Sequence, residues 1–459
     1  MISKNKTKKN QLIHVFKKGP LVLLMGCIPC VYGMDLLQVY QAAKKQDATL
    51  QAARYGAIAE SERLPQARSQ MLPTISLSLS ENNNQLESTS PDFLGREQST
   101  QRSYTSANQT LLLRQPLFKV QLLAQYRQAV AQIKDAEALL DNEEQNLTVR
   151  VCGAYFEAML SHDQLALVLA QQIAFRSQLD AAQKAYKLGS GTRTDIDEAQ
   201  SRLDMNLAQE IESRQNVLFT MQQLQTLTND PILKLSTLNA SGFKMEPLES
   251  NDLDSWIQKA EQNSPQLKSL WARISTSEEE VNKAQSGHYP TLELIAQLQK
   301  STSENVTNTS SKYTNNSVGL QLNIPIYAGG YYSATVRQAS ANLERAQQNY
   351  ESGKRSVALQ THKEFRGITE NMAKVRALEQ AMRSSEQLVT SSQKSYQGGS
   401  RTVLDVLNAE QQKASVQRDL AQARYMYLIS KVRLLSLVGE ADERTIKDIN
   451  LLLENQISK

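Results

Sequence analysis

Gln66-Ala67-Arg68-Ser69-Gln70-Met71-Leu72-Pro73-Thr74-Ile75-Ser76-Leu77 decides the architecture, because it returns 217 residues later as Lys283-Ala284-Gln285-Ser286-Gly287-His288-Tyr289-Pro290-Thr291-Leu292-Glu293-Leu294. Two more landmarks repeat. Gln115-Pro116-Leu117-Phe118 recurs as Ile324-Pro325-Ile326-Tyr327 at an offset of 209, and Tyr186-Lys187-Leu188-Gly189-Ser190-Gly191-Thr192 as Tyr396-Gln397-Gly398-Gly399-Ser400-Arg401-Thr402 at 210. The chain is a duplicated unit of about 200 residues, and an internal repeat constrains architecture before any other signal.

Within each unit the hydrophobic period changes at the quoted proline. Before it, Asp35 to about Gln70 and Leu253 to about Ser286 read as helices, which Pro73 and Pro290 terminate because proline cannot continue one. After it the period is 2. Ile75, Leu77 and Leu79 alternate with Ser76, Ser78 and Ser80, and Leu292, Leu294, Ala296 and Leu298 with Glu293, Ile295, Gln297 and Gln299. Returning strands follow: Leu111, Leu113 and Leu117 around Gln115, then Val318, Leu320, Leu322, Ile324 and Ile326 around Gly319, Gln321, Asn323 and Pro325. The strands are expected over about 74–84, 107–118, 291–299 and 317–327. Alternation alone also suits a soluble hairpin with one buried face. Two features point instead to strands with one face to lipid and one to a lumen. The hairpin tips, Glu81 to Ser106 and Lys300 to Asn316, are long and polar, and the rest of the unit reads as long helix with little to cover a sheet. Four strands cannot close a barrel, so closure needs several chains.

From Phe118 and Tyr327 onward heptads take over. Between Tyr126 and Tyr186 the a and d positions include Val130, Ile133, Leu140, Leu147, Val151, Ala154, Ala158, Leu165, Val168, Phe175, Leu179 and Ala182, interrupted by Glu137, Glu144, Ser161 and Gln172. Sustained spacing of this kind gives coiled-coil packing, and one helix from Lys119 to Tyr186 reaches about 100 Å. It breaks at Gly189-Ser190-Gly191 and resumes near Asp195. Its counterpart breaks at Gly398-Gly399-Ser400 and resumes near Asp405. These are helix-hairpin tips. Thr226 to Asp252 and the chain beyond Gly439 read as small irregular additions.

The first 33 residues stand apart. Lys4, Lys6, Lys8, Lys9, Lys17 and Lys18 precede a short apolar run, Leu21 to Tyr32, and Val31-Tyr32-Gly33 forms a small-residue cleavage site. This is a secretory signal, too short to span a membrane. Its removal takes six of the 51 Lys and Arg and leaves a slightly acidic chain against 47 Asp and Glu, so nothing recommends nucleic acid as a partner. Leu24-Met25-Gly26-Cys27 has the form of a lipoprotein box, with a very short apolar run ahead of it. After cleavage at Gly33 only Cys152 remains, which excludes an internal disulfide and reads as a small buried apolar residue. His162, His288 and His362 lie apart from one another and from Cys152. No metal spacing, nucleophile elbow or phosphate loop occurs, so neither an enzyme nor a cofactor is indicated.

The mature chain, throughout its length, resembles the TolC-like outer-membrane efflux proteins. The likeness is carried by Met34-Asp35-Leu36-Leu37-Gln38-Val39-Tyr40, by Gly287 to Leu292, by Leu322-Asn323-Ile324-Pro325-Ile326-Tyr327 with Gly329-Gly330, and by Tyr396 through Leu407. That start also supports cleavage at Gly33 rather than lipidation at Cys27. The resemblance implies a signal peptide over 1–33, a first repeat over 34–237, a linker over 238–252 and a second repeat over 253–459. The fold it implies is mainly α with a β membrane portion: long coiled-coil hairpins and β-hairpins that trimerise into a 12-stranded barrel in outer-membrane lipid, continuous with a periplasmic α-barrel. Its partners would be two further copies, a periplasmic adaptor and an inner-membrane transporter. The implied function is a passive exit duct for efflux or type I secretion, opened at its periplasmic tip by docking; which cargo it carries is not written in the sequence. A periplasmic adaptor or tether, also built on helical hairpins, is the other reading, and it calls for one hairpin and a compact β-domain.

The resemblance also implies a gate. Tyr396 and Arg401 of one hairpin would tie to Asp195 and Thr194 of the other, and Asp405 would line the constriction. Where the family pattern has a second acid one turn on, this chain has Asn408. A further tie, between subunits, pairs a Gln with a Glu; Gln178 matches the first, but Gln393 stands where the acid would be, which weakens or removes the tie. Read from the residues alone, Asp195 and Asp405 are ordinary helix caps. Adaptor contacts are expected at Leu188, Gly189, Ser190, Gly398, Gly399 and Ser400, where C-cap glycines alone would also suffice.

Overall fold

A computed structural model describes residues 34–454 except 233, 239–242, 246 and 304–310; the signal segment with Cys27 lies outside the described residues. The chain opens with α1 (Leu36–Gln46), capped by Asp35, whose carboxylate accepts from the Gln38 amide at 2.7 Å while Gln38 returns a bond to the Asp35 N–H. The expected single helix to Gln70 is in fact three, because the chain turns at Asp47 and again at Glu62 to give α2 (Ala48–Ser61) and α3 (Arg63–Ser69). The Asp47 carboxylate caps α2 through Leu50 N–H (2.7 Å) and takes an ion pair from Arg150 (3.1 Å), which holds the bend against the helical body. The second unit breaks at the equivalent place. α6 (Leu253–Asn263) ends at Ser264, and α7 (Pro265–Gln285) starts on a proline that needs no N–H partner at a helix's first position. A short 3₁₀ turn, Ser286–His288, leads into the second β-hairpin.

Four strands form one antiparallel sheet in the order β1 (Thr74–Pro91), β2 (Glu97–Phe118), β4 (Thr291–Ser303), β5 (Ser311–Asn323); β3 (Thr237–Leu238) lies elsewhere, paired with β6 (Leu453–Glu454). The register places like with like. Ile75, Leu113, Ala296 and Val318 form one cross-strand row, and Leu77, Leu111, Leu298 and Asn316 the next. Leu294 with Leu320 and Leu292 with Leu322 extend this face toward the helices. Rows on one face are about 6.8 Å apart, so the band from Leu322 to Leu79 approaches the ~25 Å apolar belt of outer-membrane barrels. On the outer strands its residues are widely exposed, Ile75 at 68% and Leu320 at 67%, whereas Leu113, Leu292 and Leu294 on the inner strands are half-buried. The opposite face is mostly polar, Leu112 and Ile295 apart, and carries an Arg114–Glu293 ion pair (3.7 Å).

The strands do not stop where the alternation does. β1 and β2 remain paired up to Pro91 and Glu97, so most of the stretch expected as a polar loop is a two-stranded ribbon with a short turn at Asp92–Arg96. At the other end β5 stops at Asn323, because Pro325 has no N–H to offer a ladder.

The heptad regions are single helices. α4 (Val120–Lys187) has 68 residues and α8 (Tyr331–Gln397) has 67, each about 100 Å long. Their return partners are α5 (Arg193–Thr228) and α9 (Val403–Leu437). The irregular additions contain more order than expected: α10 (Glu443–Asn450) and the β3–β6 pair wrap the waist of the helical body. There the largest core forms, from Leu36, Val39 and Tyr40 of α1, Val151, Cys152, Tyr155 and Phe156 of α4, Trp256 of α6, and Tyr427, Leu428 and Val432 of α9. Cys152 is fully buried, and burial pushes its thiol pKa up. Tyr155 is buried as well, its hydroxyl donating to the carbonyls of Met34 and Ser236 (3.2 and 3.1 Å). Among the described residues no helix is long and apolar enough to cross a membrane.

Candidate gate at the helical tip

Both long helices end in one motif. Leu188 N–H and Gly189 N–H return to the carbonyls of Lys184 and Tyr186, and Ser190 N–H reaches back to Ala185 (3.0 Å). In the second hairpin Gly398, Gly399 and Ser400 make the same bonds to Lys394, Tyr396 and Ser395. This reversal requires a left-handed residue, supplied by Gly189 and Gly399, each at φ +74°. Leu188, at 83% exposure, is held out into solvent by its tip.

The returning helices start alike. Thr192 and Asp195 form a capping box, the Asp195 carboxylate accepting from Thr192 N–H (2.9 Å) and its hydroxyl (2.8 Å). Thr402 and Asp405 repeat it, both bonds at 2.9 Å. The Thr402 backbone N–H, then its hydroxyl, then the charge of Arg401 hold the Asp405 carboxyl below the usual carboxylate range. Asp405 therefore stays ionised into acid, and it retains lone pairs for further partners.

A small core joins the two hairpins just above the tip: Phe175 and Leu179 of α4, Ala199 and Leu203 of α5, Val403 and Leu407 of α9. Tyr396 and Ile196 pack on it. Partial burial raises the Tyr396 phenol pKa, and the charge of Asp195 on the opposite hairpin adds to that, although the Asp195 carboxylate itself is bonded to Thr192. Arg401 does not reach Asp195 or Thr194 within the chain; its guanidinium donates to Ser392 Oγ of its own hairpin (3.0 Å). Thr194 is exposed on the first turn of α5. Gln178 is half-buried on α4, and Gln393 bonds not to it but to Glu410 of α9 (3.2 Å). The expected tie of Arg401 to Thr194 and Asp195 is thus not formed inside one protomer, where Ser392 is the nearer acceptor, while a tie between Gln178 and Gln393 would run between subunits.

Asn408 has an unforeseen partner. Arg202 of α5 donates to Asn408 Oδ1 (3.2 Å) and Gln411 Oε1 (2.6 Å), both on α9. Nothing in the sequence marks Arg202, since its partners lie over 200 residues away. About 35 Å above the tip the hairpins are clasped again, where Tyr425 of α9 donates to Asp163 of α4 at 2.7 Å. No cluster of His, Cys, Asp and Glu able to hold a metal occurs among the described residues.

The family described as outer membrane efflux protein matches the chain twice, over residues 39–230 and 256–440. The alkaline protease secretion protein AprF of Pseudomonas aeruginosa is 32% identical over 429 residues, spanning 93% of this chain and 88% of its own. The outer membrane protein TolC of Escherichia coli is 28% identical, over 92% of this chain and 86% of its own. In three dimensions the CmeC outer membrane channel of Campylobacter jejuni aligns with a TM-score of 0.76 at 17% identity, over 92% of this chain and 90% of that one. With each repeat matched separately, and with a lipid-facing sheet set on long helical hairpins, the chain belongs to the outer membrane efflux protein family, as a non-enzymatic exit channel of the outer membrane.

Proposed function

We propose that three copies of this chain form a 12-stranded barrel continuous with a helical duct, closed at its periplasmic tip and opened when a periplasmic adaptor and an inner-membrane transporter dock there. The observation that carries this reading is the paired tip. The exposed Leu188–Ser190 and Gly398–Ser400 reversals would offer the adaptor its contacts. Beside them, Asp405 would form a ring of three carboxylates at the constriction, and such a ring favours cations. Tyr396 against Asp195 would be the tie within each protomer. Arg401, held at the protomer surface by Ser392, would need only a side-chain swing to reach Thr194 or Asp195 of the neighbouring copy. Gln178 and Gln393 would add little, since Gln393 is already bonded to Glu410. The likeness to a protease secretion protein favours an exported polypeptide as cargo. The duct itself is passive, and transporter and adaptor would choose what enters.

The test is single-channel conductance of the detergent-purified protein in planar bilayers, wild type beside Asp405→Ala. Small cation-selective steps that lose their selectivity in the variant are expected. A wild type that conducts without cation preference would overturn the placement of the constriction.

A further inference from the structure

The gate so far uses residues at the tip itself. Arg202 stands above them, on the third turn of α5 from the tip, and its guanidinium forks across to α9. Three features distinguish it from a surface arginine. It joins the two hairpins of one protomer, which the small tip core otherwise holds only through apolar contact. Both acceptors, Asn408 and Gln411, are amides spaced by three residues on one face of α9, matching a planar two-pronged donor. And because neither acceptor is charged, the fork fixes a positive charge that its own partners leave uncompensated. Asn408 lies three residues beyond Asp405, so this charge sits about one turn above the carboxylate on the same side of α9. Higher up, the hairpins part around an open groove lined by Gln164, Phe219 and Arg418, up toward the Asp163–Tyr425 clasp.

We propose that Arg202 is a second latch of the gate: it holds α5 to α9 within each protomer, so that the α8–α9 hairpin cannot swing outward until the fork breaks, and its charge moderates the cation preference set by Asp405. The inference rests on the gate reading above and extends it to a residue that touches none of the tip ties. Arg202 is a positioning residue for opening and a tuning charge for selectivity, and the two roles separate chemically. Lysine keeps the charge and loses the planar fork. Methionine keeps much of the bulk and loses both.

The experiment is planar-bilayer recording of Arg202→Lys, Arg202→Met and Asp405→Ala beside wild type, each first shown to run as an assembled oligomer with wild-type helicity. Loss of the fork is expected to raise the conducting fraction on the order of fivefold in both Arg202 variants, the scale of one or two modest hydrogen bonds. The ratio of cation to anion permeability should rise only in Arg202→Met. Asn408→Asp, which gives the fork a charged acceptor, should lower the conducting fraction in the wild-type background and do nothing in Arg202→Met. Wild-type conducting fractions in both Arg202 variants would overturn the latch, whatever Asp405→Ala does. Unchanged selectivity in Asp405→Ala would overturn the position of the constriction, and the latch would still be judged by the conducting fraction.

Discussion

Tyr425→Phe removes a single oxygen from the clasp between α4 and α9, and its cost should depend on pH. The Tyr425 ring is 4% exposed and stacks on Phe156 at 6.0 Å between centroids, so phenylalanine keeps the packing. What disappears is the 2.7 Å bond to Asp163 Oδ2. Burial raises the Asp163 pKa above the ordinary carboxylate value, while the Tyr425 bond and, more weakly, His162 pull it down. Leaving a largely buried carboxylate without that donor should cost about 2 kcal/mol per protomer at neutral pH, which for a chain of this size lowers the melting temperature by roughly 2 °C. The sign with pH follows from linkage. A carboxyl whose folded pKa is raised binds its proton more tightly in the folded state, so its protonation favours folding as pH falls. Without Tyr425 that pKa rises further, and the variant regains at acid pH part of what it lost. Thermal melts of the detergent-solubilised protein by circular dichroism at pH 7.5 and pH 5 provide the assay. A deficit that is equal at the two pH values, or larger at pH 5, would refute the assignment of the cost to a stranded carboxylate.

Other outcomes are expected elsewhere. Leu320→Arg, on the outward face of β5, should cost about 2–4 kcal/mol in the membrane and reduce the heat-resistant oligomer on gels, whereas Gln321→Arg on the opposite face, across from Glu293, should assemble normally. Thr402→Ala deletes the hydroxyl bond that helps hold the Asp405 carboxyl low and leaves the stronger backbone N–H bond in place, so cation preference should fade at a slightly higher pH than in wild type as the bath is acidified. Gly399→Ala has free space for its methyl but an unfavourable backbone angle, so about 1 kcal/mol of local stability should be lost; hydrogen exchange at residues 396–402 should quicken, with Gly399→Asn falling between the two.

The duplicated unit, the helix-to-strand switch at Pro73 and Pro290 and the glycine tips could be read from the chain because each depends on local chemistry. The missed features depend on partners. Asp47 breaks the first helix without proline or glycine, through a cap that Arg150 of α4 secures. Its counterpart at Ser264–Pro265 carried a written signal, a proline inside a helical pattern, which the reading of one helix from Leu253 to about Ser286 passed over. The ribbon beyond Leu79 is built of Ser, Asn, Thr and Gln with no contrast between its faces, so periodicity is silent there and pairing simply continues from the hairpin below. At the tip, sequence placed Tyr396 near Asp195 through the family resemblance, but could not foresee that Ser392 and Glu410 would draw off Arg401 and Gln393, or that Arg202 would find Asn408.

The duplication has a geometric consequence at the two ends of the molecule. The reversals at Gly189 and Gly399 share one hydrogen-bond pattern, so a trimer presents six near-identical knuckles to the periplasm. At the outer end the two β-hairpins differ, since among the described residues β1 and β2 form a longer ladder than β4 and β5. The proposed trimer would then be close to sixfold where it faces the cell interior and strictly threefold where it faces outside. A ring of six subunits can engage the inner end in register, while any ligand arriving from the medium meets only three equivalent ribbons.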